Sequence, residues 1–255
     1  TFTGDINAAG NIERPEEAKL TGMINLTNGT VKYVSVPEAI KDIELDITSE
    51  GSLVQINTLS LIASENKAQV TGSVKSPLDN ENRQVDISGF LNIDLSTLKD
   101  FYPINEDSLD IKGQLKADLV FNGAMKNFDL EEILQASSVE LTNGYVFHSS
   151  LGKPISEVNF AGTISGRRIN FEQANFKTGN NSLRLRGSVT DYLSENPSVN
   201  VELDGEAQLG DIKNYYPLEP WIQELSGAAS LNLLASGPLG EPLKIDLNGS
   251  LNVKE

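Results

Sequence analysis

The sequence predicts an all-β protein built from long antiparallel strands, and three observations lead to this prediction. Apolar and polar residues alternate through most of the 255 residues, which is typical of strands with one buried face. The chain repeats itself with a period of about 115 residues. Helical patterns are confined to short pieces. We therefore expect about 15 strands in all, about seven in each period.

The repeat needs no gap over its first half. Residues 26–31 (LTNGTV) return as residues 141–146 (LTNGYV), and residues 72–74 (GSV) return as residues 187–189. Between these anchors, apolar residues replace apolar residues at the same offset. An internal repeat of this kind indicates an architecture made of repeating structural units, independently of any single residue.

The repeat continues with a slip of one residue, so that residues 98–103 (LKDFYP) correspond to residues 212–217 (IKNYYP). In an array where each repeat packs on its neighbour, no domain boundary is needed inside the array. We therefore expect one continuous body, excised from a longer protein. It would consist of a partial repeat at 1–24, a first repeat at 25–139, and a second repeat with the start of the next at 140–255.

The first elements of each repeat are predicted to be strands joined at Asn-Gly. Asn28-Gly29 and Asn143-Gly144 each lie between two alternating runs. A type I′ turn needs a positive φ at both central residues, and Asn-Gly supplies both. We therefore predict a hairpin at each of these positions.

The later elements are longer strands. Alternation runs through residues 85–95 and 109–123, and the second copies at 199–209 and 225–237 follow the same rule. This pattern predicts half-buried antiparallel strands.

Short helices are predicted at 37–41, 95–102, 130–134 and 211–216. The second and the fourth end in an aromatic pair followed by a proline, at 101–103 and 215–217. The proline stops the helix, and we expect the rings to pack over the end of the sheet.

Glycine recurs inside the strands, in the apolar register. One explanation is that these glycines let long strands coil, and another is that they give clearance along an open apolar groove. The two are compatible. The glycines are Gly72, Gly89, Gly113, Gly187, Gly205 and Gly227.

The composition excludes several classes of partner. A net charge of −16 and a pI near 4.5 argue against binding to nucleic acid, and against docking on an anionic membrane surface. The absence of cysteine excludes disulfides and thiolate metal sites. No apolar run reaches the 18 residues that a membrane-spanning helix needs.

An enzyme is not expected. His148 is the only histidine, whereas catalysis usually requires several convergent groups. No glycine-rich phosphate loop stands at a strand-to-helix turn, and the paired carboxylates lie where turns or helix starts are predicted. We therefore expect no catalytic residues, no metal site and no cofactor.

The succession of elements resembles the AsmA-like superfamily of bacterial envelope proteins, which includes AsmA and TamB. The recurring features are the Asn-Gly strand, a strand pair across Gly51 or Gly166, a strand that closes on Gly72 or Gly187, and a short Leu-x-x-Leu helix with an aromatic-proline end. The resemblance covers essentially the whole chain.

The resemblance implies an elongated antiparallel repeating β-groove, or "taco", with short helices at its edges. It also implies a periplasmic location, within an envelope protein anchored in the inner membrane by a helix outside this segment. Such proteins are regarded as bridge-like conduits for phospholipids, so the expected partner is a phospholipid or another acyl lipid. Membrane contact would then be made through segments that this chain lacks. The resemblance leaves open which lipid moves and in which direction.

We predict a continuous apolar strip along the inside of the sheet as the lipid-binding surface. The alternative is a structural or adhesive β-repeat, or an outer-membrane assembly scaffold, whose faces close into a dry core without a groove. The predicted strip consists of Val85, Ile87, Leu91, Leu115, Leu119, Phe121, Phe171, Phe176, Leu185, Val201, Leu203, Leu231 and Leu233.

Overall fold

The chain folds into one open antiparallel sheet of 14 strands, in which strands that follow each other in sequence are neighbours in the sheet. The prediction of an all-β fold is therefore confirmed. The structure is a computed structural model, and it describes residues 1–11, 13–105, 107–126, 133–135, 137–150, 153–214 and 226–254.

The strands are mostly 8 to 13 residues long, and the longest has 16. They are β1 (Phe2–Ala9), β2 (Lys19–Val31), β3 (Ile40–Gly51), β4 (Leu53–Ala63), β5 (Asn66–Lys75), β6 (Gln84–Asp94), β7 (Leu109–Ala124), β8 (Ser137–His148), β9 (Ile155–Ser165), β10 (Arg168–Thr178), β11 (Asn181–Thr190), β12 (Ser198–Gln208), β13 (Ala228–Pro238) and β14 (Asp246–Lys254).

Helical structure is short where it is described. The predicted helix at 95–102 is a 3-10 turn, Leu95–Thr97, followed by an α-helix (α1, Leu98–Phe101). The prediction at 211–216 corresponds to the 3-10 helix Leu209–Asn214. Two further 3-10 turns, Pro15–Glu17 and Pro242–Lys244, were not predicted.

Two other helix predictions have different outcomes. The prediction at 37–41 is wrong, because residues 37–39 are irregular and β3 begins at Ile40. Most of the prediction at 130–134 lies outside the described residues, and Leu134 forms an isolated bridge with Phe121.

Of the two predicted aromatic-proline segments, only the one at 101–103 lies within the described residues. Phe101 is buried, whereas Tyr102 is exposed and meets Tyr33 edge-on, with 6.3 Å between the ring centroids. The other aromatic-proline segment, 215–217, lies outside the described residues.

The chain divides into two compact units. Unit 1 comprises Thr1–Pro103, Leu115–Ser138 and Ile164–Gly166, and unit 2 comprises the remaining segments, Ile104–Gln114, Val139–Thr163 and Arg167–Glu255. The predicted boundaries at 24/25 and 139/140, and the single continuous body, stay predictions.

The two Asn-Gly hairpin predictions are wrong. Asn28-Gly29 lies inside β2 and Asn143-Gly144 lies inside β8. Only the asparagine of each pair has a positive φ, 55° at Asn28 and 52° at Asn143, whereas a type I′ turn requires two such residues. In β2 the pairing with β3 shifts at this point, so the strand continues through a bulge.

A side chain in place of Gly29 or Gly144 would be crowded by the neighbouring strand. A methyl group on Gly29 would lie 3.1 Å from Cβ of Ile43, and one on Gly144 would lie 2.8 Å from Cβ of Val158. The glycine of each Asn-Gly pair therefore lets the next strand approach closely.

The backbone repeats its special conformations at the spacing of the sequence repeat. Positive φ values occur in pairs 115 residues apart. The β4–β5 bulge between Ile56 and Leu59 also returns 115 residues later, between Phe171 and Ala174. The number of repeats stays a prediction, but local conformation follows the sequence copy. The φ pairs are Asn28 and Asn143, Asp42 and Glu157, Gly51 and Gly166, Ser64 and Gly179, Gly72 and Gly187, and Ser76 and Asp191.

Fully buried apolar residues are few among the described residues. In unit 1 a small core forms from Val85, Met125 and Ile133, with Val74 and Phe121 packed against it. Most other strand residues that are apolar are only half-buried. A single sheet that is covered over only part of one face accounts for this distribution.

Candidate functional site

In unit 1, apolar side chains share one face of the sheet. Residues that pair across antiparallel strands point to the same face, and the rows of pairs are apolar from β2 to β6. One row joins Val54, Val74 and Val85, and Ile24 pairs with Ile47 in another. We call this surface the unit 1 apolar face, and its strand residues include Leu20, Ile24, Leu45, Ile47, Val54, Ile56, Leu59, Val70, Val74, Val85, Ile87 and Leu91.

Unit 2 has a face of the same kind, formed by β10 to β14. Leu185, Leu203 and Leu233 pair in one row across β11, β12 and β13. We call it the unit 2 apolar face, and its strand residues include Ile169, Phe171, Phe176, Leu183, Leu185, Val189, Val199, Val201, Leu203, Leu231, Leu233, Leu247 and Leu251.

The thirteen residues of the predicted strip divide between the two apolar faces. Val85, Ile87 and Leu91 lie on the unit 1 face by their pairing. In β7, Leu119 lies against Gly89 and Phe121 packs on the Val85 core. Leu115 is half-buried. It lies four residues before Leu119 in β7, so the two side chains point to the same face of the strand. The unit 2 apolar face carries the rest, Phe171, Phe176, Leu185, Val201, Leu203, Leu231 and Leu233.

These residues are not sealed from solvent. Only Val85 and Val201 are buried, and the other eleven are half-buried. The geometry thus places them on shared apolar faces. Whether the strip is continuous and whether it binds lipid stay predictions.

The unit 1 apolar face also contains apolar residues of β2 to β5 that were not predicted to belong to it, such as Ile24, Ile47, Ile56 and Val70. The sequence repeat could have identified Ile56, because Ile56 corresponds to Phe171 and Phe171 is part of the predicted strip. Register shifts in the β2–β3, β3–β4 and β4–β5 pairings break the period-two alternation, so the face cannot be followed there by alternation alone.

A cleft of about 230 Å³ opens on the unit 1 apolar face. Its lining is apolar except for Ser49, and includes Ile6, Leu20, Ile24 and Val54. The Ser49 hydroxyl lies 3.2 Å from the carbonyl oxygen of Leu20, to which it donates a hydrogen bond. Its polar atom is thus used within the sheet, so the cleft offers mainly apolar contact.

The opposite face of unit 2 is polar and charged. Arg186 donates two hydrogen bonds of 2.6 Å to the carboxylate of Glu202 on the neighbouring strand. Because Arg186 stabilises the charged carboxylate, the pKa of Glu202 lies below its ordinary value. Asn232 also donates to Asp204 on this face. The sheet in unit 2 therefore has one apolar side and one side that interacts with water.

The residues considered for catalysis and metal binding lie as follows. His148 is exposed, and its Nδ1 lies 2.7 Å from the hydroxyl oxygen of Ser150. Within the described ranges, no group of three or more His, Asp or Glu side chains could hold a metal ion. No helix in the same ranges is long and apolar enough to cross a membrane.

Comparison of the chain with family models, with curated proteins and with solved structures finds no match.

Proposed function

We propose that this chain shields the acyl chains of lipids on the apolar side of its sheet, as a segment of a bridge-like phospholipid conduit. In this proposal the sheet forms a repeating β-groove. The protein that contains it is anchored in the inner membrane and acts in the periplasm. The resemblance to the AsmA-like superfamily supports the compartment and the groove.

One observation carries the proposal: apolar residues fill one face of the sheet in each unit and stay half-exposed. In a sealed sandwich, the same residues would be expected to form a dry core. Leu185, Leu203 and Leu233 form a row of leucines in unit 2, and none of the three is buried. Exposed apolar surface on this scale commonly marks an interaction site.

The energetics suit an acyl chain. Each methylene removed from water contributes about 0.8 kcal/mol. A fatty acyl chain that is covered along most of its length therefore gains on the order of 10 kcal/mol without any specific hydrogen bond. Apolar contact has little directional preference. An acyl chain can therefore slide along the apolar face instead of being held at one position.

The charge of the chain fits the same proposal. The net charge of −16 repels anionic headgroups and anionic membrane surfaces. Lipid headgroups would then stay in solvent while the acyl chains lie on the apolar face. Membrane contact would be made by other parts of the protein.

The proposal is tested by extracting the purified protein with organic solvent and identifying bound lipid by mass spectrometry. We expect phospholipid in a reproducible molar ratio to the protein. A soluble protein of similar size and charge, taken through the same purification, serves as the control. Lipid no more abundant than in that control, together with no binding of a fluorescent acyl probe, would favour the structural or adhesive repeat instead.

A further inference from the structure

Each unit contains a β-hairpin whose last residue pair is buried on the apolar side of the sheet. In unit 1 the pair that ends the β4–β5 hairpin is Ala63 with Asn66, each 6% exposed. In unit 2 the pair that ends the β10–β11 hairpin is Thr178 with Asn181, at 8% and 7%. Alternation along the strands places both pairs on the side of the apolar faces. Because most of each apolar face is only half-buried, other segments must cover this end of it.

In unit 2 two segments cover the buried pair. The segment that leads into β9 contributes the carbonyl oxygen of Pro154, which accepts a hydrogen bond of 3.0 Å from the Thr178 hydroxyl. At the end of β12, the backbone N–H of Gln208 donates a hydrogen bond of 2.6 Å to Oδ1 of Asn181. Each buried polar side chain is thus bonded to one of the two covering segments.

An ion pair joins these two segments to each other. Lys153 Nζ lies 2.7 Å from Oδ1 of Asp211, which belongs to the 3-10 helix after β12. The pair lies against the β10–β11 turn, since a methyl group on Gly179 would be 3.0 Å from Lys153 Nζ and 3.3 Å from Asp211 Oδ2. The side chains of Lys153 and Asp211 are 35% and 19% exposed. We call Lys153, Pro154, Gln208 and Asp211 the unit 2 end bridge.

Unit 1 is covered at the equivalent end, and one anchor is the same. Asn66 accepts a hydrogen bond of 2.7 Å from the backbone N–H of Asp94 and donates one of 2.6 Å to Oγ1 of Thr97. Asp94 caps the 3-10 turn that leads to α1, and Thr97 belongs to that turn. Asn66 and Asn181 stand 115 residues apart, so the repeat conserves the asparagine that holds the segment after β6 or β12.

The two covering segments of unit 1 are joined by different chemistry. The backbone N–H of Glu38, before β3, donates a hydrogen bond of 3.0 Å to the carbonyl oxygen of Asp100 in α1. Tyr33 meets Tyr102 edge-on between the same two segments. Neither contact joins two charged groups, so salt has little effect on either. We call Tyr33, Glu38, Asp100 and Tyr102 the unit 1 end bridge.

The pair beneath the unit 2 end bridge favours reversible opening. When the bridge opens, the Thr178 hydroxyl and the Asn181 carboxamide exchange their bonds to the bridge for bonds to water, so little free energy is lost. The next pair inward, Phe176 with Leu183, belongs to the unit 2 apolar face. An open bridge therefore gives an acyl chain a direct route from solvent to that face.

We propose that the unit 2 end bridge opens at the Lys153–Asp211 pair and is an entry for acyl chains to the unit 2 apolar face, while the unit 1 end bridge stays closed. A partly exposed ion pair contributes little to stability and is weakened by salt, which makes it the contact that yields first. The use of the opening by lipid rests on the proposed function, whereas the opening itself does not.

The reactivity of a buried thiol tests the opening without lipid. The chain has no cysteine, so Thr178→Cys and Ala63→Cys each place a single thiol beneath the bridge of its unit. The probe is iodoacetamide, an uncharged reagent that reaches the thiol when the bridge opens. Lys153→Gln should raise the rate of modification at position 178 at least about threefold and leave the rate at position 63 unchanged. Loss of a nearby positive charge by itself lowers the thiolate fraction, so a faster reaction reports access.

Lys177→Gln is the matched control. Lys177 precedes Thr178 in β10 and forms an ion pair of 2.7 Å with Glu157, on the polar side of the sheet. The substitution removes the same charge and breaks an ion pair in the same unit, but it leaves the end bridge intact. We expect no faster modification at position 178 in this variant. Circular dichroism and the thermal midpoint check that each variant folds.

Hydrogen exchange of the protein without substitutions gives a second measurement. Raising the ionic strength from about 0.02 M to about 1 M screens the ion pair. The amide of Gln208, which is bonded to Asn181, should then exchange severalfold faster. The amide of Asp94, which is bonded to Asn66, should not change. Equal thiol reaction rates in Lys153→Gln and Lys177→Gln, or equal effects of salt on the two amides, would overturn the proposal.

Stopped-flow uptake of a fluorescent fatty acid tests the use of the opening. Lys153→Gln should take up the probe severalfold faster than Lys177→Gln, with the same amount bound at equilibrium, because the apolar face itself is unchanged. Faster thiol modification with equal uptake rates would overturn the role of the bridge as an entry. If no variant binds the probe, the proposed function fails and the entry fails with it, while the thiol rates still decide whether the bridge opens.

Discussion

At the residue scale, Gly72 allows the backbones of β5 and β6 to approach closely. A methyl group on Gly72 would lie 2.2 Å from the carbonyl oxygen of Asp86, and its φ of +141° disfavours other residues. Gly72→Ala should therefore lower the free energy of unfolding by about 2 kcal/mol or more. Urea denaturation followed by circular dichroism measures the change.

Gly89 provides the matched control in the same unit. It lies on β6, and a methyl group there would be no closer than 3.7 Å to any neighbour. Gly89→Ala should change the free energy of unfolding by less than about 1 kcal/mol. If both substitutions destabilise the protein equally, the close approach at Gly72 is not the reason that glycine stands there.

The ion pair between Arg186 and Glu202 gives a prediction about pH. The hydrogen bonds from Arg186 lower the pKa of Glu202, so the pair stabilises the fold above the ordinary carboxyl pKa of about 4.3. This contribution is lost as the pH falls through the lower folded value. It is small because the pair is largely accessible to solvent.

The direct measurement is a carboxyl carbon NMR titration of Glu202. In the variant Arg186→Gln, the pKa of Glu202 should rise toward its ordinary value, while the pKa of Asp79 in unit 1, which local hydrogen bonds also lower, should not change. If the pKa of Glu202 is the same in the unmodified protein and in Arg186→Gln, the result would contradict the hydrogen bonds between Arg186 and Glu202.

At the element scale, the bulge in β2 depends on the conformation of Asn28. Its φ of 55° costs an ordinary residue roughly 1–2 kcal/mol, whereas Asn and Gly tolerate it. We expect Asn28→Ala to destabilise the protein by about 1 kcal/mol and Asn28→Gly to be nearly neutral. The difference between these two variants in thermal midpoint is the test, and equal midpoints would contradict it.

The sequence predicted most strands well because period-two alternation is a direct consequence of having one apolar face. The prediction from sequence was wrong at Asn28-Gly29, because an Asn-Gly pair can form either a hairpin turn or a bulge within a strand. A hairpin turn and a bulge both use a residue with positive φ, and the difference is whether the following glycine also has one. That depends on the close approach of Ile43 on the neighbouring strand, which no local pattern contains.

At the scale of the whole molecule, the sequence predicted which side chains share a face but not how far that face is covered. Alternation assigns Leu203 and Leu233 to one side of a strand in either an open sheet or a sandwich. The distinction requires knowing what packs against them. The structure leaves both half-buried, and this long-range property determines which functional class is favoured.

A charge placed on the apolar face separates the two classes of function. Leu203→Asp puts a carboxylate in the row of leucines on the unit 2 apolar face. On a face that is open to water the carboxylate stays hydrated, so we expect little change in thermal midpoint and a large loss of bound acyl probe. In a sealed core, an unpaired carboxylate would cost several kcal/mol and lower the midpoint strongly.

Asn200→Asp is the matched control, because Asn200 lies on the same strand as Leu203, is exposed on the polar side and pairs with the uncharged residues Ser188 and Ser236. This variant should keep both its midpoint and its capacity for the acyl probe. Loss of probe binding in Leu203→Asp alone would support the conduit, and a large drop in midpoint in that variant would support the sealed repeat. If Leu203→Asp keeps both its midpoint and its probe binding, the apolar face is not the surface that binds lipid.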